Sequence, residues 1–462
     1  MKKKLIGDKA FYKMVLLVAV PIMVQNGITN FVSLLDNIMI GRVGTEQMSG
    51  IAIVNQLMMV FYVTIFGVIS GAGIFGAQFF GCKDHKGVRN TFRFKIYACL
   101  LVMLIGMFVF IRFGDQLIML YLNGEGNGIS LEATLHYGKQ YLWVMLVSLL
   151  PLCVEQIYSS TLRECGETVL PMKAGIAAVL VNLVLNYLLI FGKFGLPELG
   201  VTGAAIATVI ARYVQAAIVV VWTHRHGEEM PFIKGVYREL SIPGQLAGNI
   251  LVKGTPLMIN EFFWSAGMAV LTQCYSMRGL EAVAALNIAS VITGLFNVVF
   301  LAMGNAVSII VGQLLGAGKM EEARDTDTKL IAFSVGSCVV IGSVLALAAP
   351  LFPMIYNTSD EVKQLATGLI RIAAIWMPMS AFTHATYFTL RSGGKTVVTF
   401  LFDSVFLLCA NVPLAFVLSR YTLMPLVWLY LCCQLIDIIK CTIGFVLVKK
   451  GVWLHNIVSP DL

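Results

Sequence analysis

The sequence predicts an all-α integral membrane protein, with twelve transmembrane helices in two parallel six-helix repeats. Three observations carry this reading. The 462 residues are 58% apolar and 13% charged, against about 25% charged in a soluble chain, and the mean hydropathy is +0.83. Apolar runs long enough to span a bilayer recur at 13–41, 48–80, 88–113, 131–159, 168–191, 199–224, 245–272, 280–312, 327–352, 362–390, 396–418 and 424–448. The chain also repeats itself. At an offset of 235 residues Pro21 matches Pro256, Met23 matches Met258, Gly44 and Glu46 match Gly279 and Glu281, and Ile53 matches Ile288. Gln78, Gly81 and Arg89 match Gln313, Gly316 and Arg324 in the same register. A second register, offset 228, pairs Leu162-Arg163 with Leu390-Arg391, Gly166 with Gly394 and Thr168 with Thr396. Six spans is an even number, so both halves enter the bilayer from the same side and the pseudo-twofold runs along the membrane normal.

The basic residues set the orientation. With the N-terminus inside, 24 of the 33 Lys and Arg residues fall on the inner side and 8 on the outer, while Arg212 lies within a span. Both termini are therefore expected in the cytoplasm. The net charge of +8 does not point to nucleic acid, because the charges flank apolar runs. Met1-Lys-Lys-Lys reads as the flank of a retained first helix, since the apolar run that follows is too long for a signal peptide and no small-residue cleavage site appears. The ten cysteines are scattered through apolar segments with no metal spacing and read as buried free thiols.

Taken in order, the first span carries Gln25, Thr29, Ser33 and Asp36 at steps of four, four and three, which puts them on one helix face. An ionised carboxylate in hydrocarbon costs about 2.5–3.5 kcal/mol on insertion scales. Asp36 is thus either the end of a functional polar stripe or an interfacial acid near a helix end. The first, second and eighth spans exceed a perpendicular crossing and are expected to tilt, bend or extend past the bilayer. Pro21, Pro151, Pro256, Pro378 and Pro413 lie inside spans, where neighbouring helices can satisfy the freed carbonyls. Glu155 on the fourth span is a weaker candidate. Asn182 and Asn186 on the fifth, at i and i+4, share a face that serves as helix–helix glue or cavity lining. Thr202 and Thr208 on the sixth either line the cavity or bond their own backbone. Arg212 pairs with an acid or snorkels.

The charged stretch 225–243 separates a first lobe, 1–224, from a second, 244–462. Glu261 lies mid-span in the seventh helix, beside Asn260, with no basic residue within one turn. It must be protonated, partnered from another helix, or hydrated. Asp403 and Ser404 on the eleventh span face the cavity or the boundary. Asp437 and Lys440, at i and i+3 on the twelfth, read as a mutually neutralising pair. His384, among threonines on the tenth, reads as a packing residue. Phe262, Phe263, Trp264 and Met39 offer an adaptable apolar wall. Enzyme signals fail: Ser392-Gly-Gly-Lys-Thr396 ends like a phosphate loop, but Thr389 stands where its first glycine belongs and there is no strand.

Leu35-Asp36-Asn-Ile-Met-Ile-Gly41-Arg-Val-Gly44, Gly81 with the basic residues after it, and Thr161-Leu-Arg163-Glu-Cys-Gly166-Glu-Thr168 resemble the multidrug and toxic compound extrusion (MATE) family. The resemblance covers essentially the whole chain. It implies a monomeric transporter of the bacterial plasma membrane, not an enzyme, with two lobes forming a V-shaped cleft. Such proteins export small organic cations or amphipathic drugs in exchange for H⁺ or Na⁺, with no other cofactor and no nucleic-acid partner. Asp36 then matches the N-lobe acid that binds the coupling cation, and Glu261 resembles a C-lobe acid on the seventh helix, so Na⁺ is possible at Asp36 or Glu261. Ser33, Thr202, Asn182, Asn186, Asn260 and Asp403 become candidates for lining the cavity. The chain departs from the family's pattern at Asn186, where some members have an acid, and at Ser159 or Ser160, where an Asn often precedes Leu-Arg. Rocking of the lobes about 225–243 would give alternating access. Two other classes stand beside this: a flippase for lipid-linked precursors, which would favour a cleft rich in Arg and Lys, and an intramembrane transferase, which would need a His/Asp or metal cluster.

Overall fold

The computed structural model describes residues 5–41, 43–122, 131–195, 197–239 and 241–458. The chain is 84% helical, with no strand among the described residues. Helices α1 Lys9–Gly41, α2 Thr45–Gly81, α3 His85–Leu122, α4 Leu131–Leu146, α5 Leu149–Glu164, α6 Val169–Ile190 and α7 Gly200–Arg225 are followed by a short 3₁₀ turn, Pro231–Ile233. Then come α8 Gly244–Ser276, α9 Leu280–Gly316, α10 Met320–Ala348, α11 Asp360–Ser392, α12 Thr396–Phe400, α13 Val412–Tyr421, α14 Leu426–Leu435 and α15 Asp437–Lys450. Ten helical segments of the described chain are long and apolar enough to cross a bilayer, and α4 with α5, bent by 49° at their junction, makes an eleventh. The expected seventh span is the 33-residue α8, whose polar side chains dilute its hydropathy. The twelve expected spans therefore agree roughly with the structure. Side chains such as Leu101, Leu104, Ile105 and Phe108 on α3 are exposed at helical spacing, as lipid-facing positions require.

The helices group into two compact units. One holds residues 24–76 and 85–248; the other holds 1–23, 77–84 and 249–462. In the first unit, α6 and α7 approach closely through small residues. A Cβ on Gly203 would meet the Leu189 carbonyl at 2.6 Å, and Ala174, Ala178, Ala204, Ala207 and Ala211 are buried nearby on these two helices. Close backbone approach supplies the van der Waals contact that a bilayer's hydrophobic effect does not. Lys95, counted above among the cytoplasmic flank charges, is instead fully buried. Its ammonium donates to both oxygens of Glu164 at 2.6 and 2.8 Å, to Thr161 at 2.9 Å and to Ser160 at 3.1 Å. Glycines make the room: a Cβ on Gly73 or Gly76 of α2 would meet the Glu164 carboxylate at 2.7 or 2.1 Å.

The second unit is built around α9. The far end of α2 crosses α9 at repeat-related positions. A Cβ on Gly81 would lie 1.9 Å from the Gln313 carbonyl oxygen, and a Cβ on Gly316 would lie 1.9 Å from the Gln78 carbonyl oxygen. Ala77 and Gly312, matched by the same offset, also meet there. The chain after α15 folds back into this unit. Gln78, fully buried, donates to the carbonyls of Ser392 and His455 and accepts from the Ile457 amide at 2.8 Å. Trp453 is fully buried, and its carbonyl sits where a Cβ on Gly393 would be, at 1.8 Å, while Gly394 faces Ile457. The Gly-Gly of the false phosphate loop is therefore a seat for the tail.

Between α12 and α13 the helix widens into two π-helical turns, Leu401–Val405 and Leu407–Asn411. Pro413, which has no amide hydrogen to give, lies just beyond them.

The α2–α9 crossing leaves no space for a methyl group. Gly81→Ala or Gly316→Ala is expected to cost about 1–3 kcal/mol, as overpacking does, read as a lower unfolding temperature in detergent. Gly336→Ala on α10, which meets nothing within 4 Å, is expected to leave that temperature unchanged or slightly raised.

Candidate functional site

In a chain with this much apolar surface the polar side chains that share buried ground define the candidates. In the unit containing α6 and α7, Asn182 and Asn186 are both buried and lie on one face, as their spacing predicts. The Asn186 amide donates to Asn182 Oδ1 at 3.1 Å, and the Asn182 amide donates to Thr208 Oγ1 at 3.3 Å. The Thr208 hydroxyl in turn bonds the Ala204 carbonyl. Thr202 is half-buried in the first turn of α7 and is not joined to this chain. Arg163 donates to Gln25 Oε1 at 2.8 Å, so the polar stripe of α1 begins in contact with the Leu-Arg segment of α5. Thr29 bonds the Gln25 carbonyl one turn away. Asp36 and Ser33 fall on α1, but their side chains lie outside the described residues. Arg212 stacks over the Tyr62 ring at 5.1 Å and donates to its hydroxyl, so it meets a phenol and not an acid. Glu155 accepts from Ser159 and Gln156.

The unit containing α8 holds a denser cluster. Asn260, almost fully buried, is its centre. Its amide donates to Asp403 Oδ2 at 3.1 Å and to the Tyr387 hydroxyl at 3.4 Å. The Ser404 hydroxyl donates to the backbone carbonyl and to Oδ1 of the same asparagine, each at 2.7 Å. These bonds tie α8 to the first π-helical turn. The second oxygen of Asp403 takes the Lys440 ammonium at 2.8 Å, and Lys440 also lies over the Phe402 ring at 5.3 Å. Glu261, the next residue on α8, accepts from the Tyr387 hydroxyl at 2.9 Å. His384 stacks on Tyr387 and meets Phe300 and Phe388 edge-on, as its reading as a packing residue requires.

One pairing expected from the sequence changes here. Lys440 pairs with Asp403, not with Asp437, which accepts from Asn411 at 3.1 Å. The i,i+3 rule sees only one helix, whereas the π-helical turn carries Asp403 toward α15. Asp403 is consequently saturated by Asn260 and Lys440. Glu261 has no cation within salt-bridge distance among the described residues; its hydrogen-bond partner is the phenol of another helix, and the buried Arg391 guanidinium acts on it electrostatically from farther away. Tyr387 escaped the sequence reading altogether. The only signal was its place three residues after His384 on a helix face already rich in threonine. Phe262, Phe263 and Trp264 are exposed on α8.

Arranged this way, the cluster holds one neutralised acid and one acid with a single neutral donor. Removing one partner of a buried ion pair typically costs about 3–5 kcal/mol. Lys440→Met is therefore expected to lower the unfolding temperature strongly, and Asp403→Asn/Lys440→Met to recover most of the loss in the same melt.

Comparison with known proteins bears on the fold and the family. The “Probable multidrug resistance protein NorM” of Thermotoga maritima is 25% identical over 439 residues, covering 94% of this chain and 91% of that one. The “Probable multidrug resistance protein YoeA” of Bacillus subtilis is 24% identical over 416 residues, covering 87% and 86%. Among solved structures, an outward-facing multidrug resistance MATE family transporter of the MOP superfamily superposes with a TM-score of 0.84 at 19% identity, covering 97% of each chain. A MOP superfamily transporter from Pyrococcus furiosus, described as having a binding pocket of reversed polarity, gives 0.83 at 19% identity over 97% of each chain. The model of the MatE family matches residues 21–188 and again 256–417. Those two matches begin at Pro21 and Pro256, the first matched pair of the internal repeat. The chain is a multi-pass membrane protein and belongs to the MatE family of multidrug efflux transporters.

Proposed function

We propose that this chain exports cationic, amphipathic organic compounds in exchange for H⁺ or Na⁺ by alternating access, with Glu261 and Asp36 as the residues that trade one cation for another. Glu261 carries the reading. It is a carboxylate within a helix of a membrane protein, bonded to one phenol; the Arg391 guanidinium acts on it electrostatically, but no cation lies within salt-bridge distance of it among the described residues. Such a group in a poorly hydrated site is stable only when a proton, a metal cation or an organic cation neutralises it. Asp403, one shell away, is already neutralised by Lys440, which leaves Glu261 as the exchangeable acid of that cluster. The multidrug resistance descriptions of the relatives support organic compounds as the cargo. In the proposed cycle Asn182, Asn186, Thr202, Ser33 and Asn260 line the substrate path, and lobes 1–224 and 244–462 alternate about 225–243. The membrane potential adds about 2.3 kcal/mol per charge per 100 mV to whichever ion runs inward.

Proteoliposomes with an imposed pH or Na⁺ gradient test this and identify the ion. Glu261→Gln and Asp36→Asn are each expected to abolish gradient-driven efflux or reduce it severely, with normal expression and melting. Tyr387→Phe, which removes one hydrogen bond to a charged group worth about 1.5–3 kcal/mol, is expected to shift the ion concentration for half-maximal rate by about tenfold or more. Efflux at the wild-type rate from both acid variants overturns the proposal.

A further inference from the structure

The segment after α7 is not a slack tether. Two arginines of α3 hold its backbone. Arg89 donates to the carbonyls of Phe232 and Pro231, and Arg93, buried, donates to those of Val236 and Gly235 at 2.8 and 3.0 Å. Phe232, Ile233 and Val236 are buried beneath. Tyr237 is fixed by a 2.5 Å hydrogen bond between its hydroxyl and that of Tyr158, and its ring stacks on His224. With the backbone pinned from one side, the cationic side chains project from the other. They line an open pocket of ≈ 460 Å³, formed by Arg225, Lys234, Arg238, His224 and Tyr237 together with one carboxylate, Glu228. That volume suits a small ligand or a headgroup.

The charges around the cavity are unequal. Lys234 is paired with Glu228 at 2.5 Å, and its hydrogen bond holds the Glu228 carboxyl below the usual carboxylate range. Arg225 and Arg238 are exposed, and neither is within salt-bridge distance of a carboxylate among the described residues. Glu239 leans toward Arg93 at 3.9 Å, and Glu229 is not part of the lining. Two guanidiniums with no carboxylate in salt-bridge distance among the described residues, one on the last residue of α7 and one on the pinned segment after it, match a planar or tetrahedral oxyanion. Basic clusters at this level also meet the phosphates of anionic lipids.

We propose that this cavity is a phosphate-binding site, held by Arg225 and Arg238 with Lys234 in reserve, whose ligand is a phosphate ester carried either by a lipid headgroup or by a small soluble molecule. It is independent of the transport reading above. The test uses the purified full chain and two probes: phosphatidylglycerol in nanodiscs, against phosphatidylcholine alone, and glycerol 1-phosphate in detergent. Arg225→Gln/Arg238→Gln is expected to weaken binding by about tenfold or more, that is about 1.4 kcal/mol or more. Glu228→Gln, which frees Lys234, is expected to tighten it. These opposite signs would not arise from a structural role. Binding of the lipid alone or of the soluble ester alone supports the site and names the source of the phosphate. The proposal is overturned if neither probe binds the wild type. It is equally overturned if Lys253→Gln/Lys395→Gln, which removes two charges elsewhere, weakens binding as much as the arginine pair does.

Discussion

Two carbonyl oxygens, those of Gln78 and Gln313, occupy the places where Gly316 and Gly81 would carry side chains. Much of the unit built on α9 depends on that mutual contact. It brings the backbones of α2 and α9 together at positions that the internal repeat equates, so each helix presents to the other the same glycine and the same carbonyl. A self-complementary contact of this kind needs both partners to change together. It also positions the Gln78 side chain. Once the backbones touch, the Gln78 amide is buried and must be satisfied from within, and the end of α11 and the segment after α15 supply the partners.

The second theme is the handling of charge where water is scarce. Lys95 is surrounded by Glu164, Thr161 and Ser160. Asp403 is shared between Asn260 and Lys440. Arg89 and Arg93 spend their donors on backbone carbonyls. In each case the charge has enough partners to offset its desolvation. Glu261 departs from the pattern: its one hydrogen bond comes from the Tyr387 phenol, and the Arg391 guanidinium acts on it without direct contact. The glycines at 73 and 76 belong to the same account: an ion pair as large as Lys95–Glu164 fits only because α2 offers no side chains there.

The spans, the repeat and the family were legible in the sequence because each is written in a periodic or colinear signal. Hydrophobic runs mark the helices whatever their packing, and the offset between Pro21 and Pro256 needs no coordinates. Pairings across helices were not legible. Lys95 looked like one more flanking charge, since its partner is 69 residues away. Lys440 was assigned to Asp437 by helical spacing, which cannot register a π-helical turn that rephases the side chains of a neighbouring segment by roughly one residue, or about 100°. The asparagines of α6 were placed on a common face correctly because that inference needs only one helix. Gly393 and Gly394 attracted notice as part of a phosphate-loop ending, yet their role is to admit the Trp453 carbonyl and Ile457, a contact that local sequence cannot announce.

The tie between Gln78 and the segment after α15 sets an order of events during biosynthesis. Its partners His455 and Ile457 lie 377 and 379 residues downstream. At about 5–20 residues per second, the end of α2 waits roughly 20–75 s after its own synthesis before they exist. The early helices can insert and associate in that interval, but the final seat of α2 stays open until α15 and the residues after it have been made. The unit built on α9 thus closes only once residues 455–457 exist, and a chain arrested after α14 would hold early helices that still lack this contact.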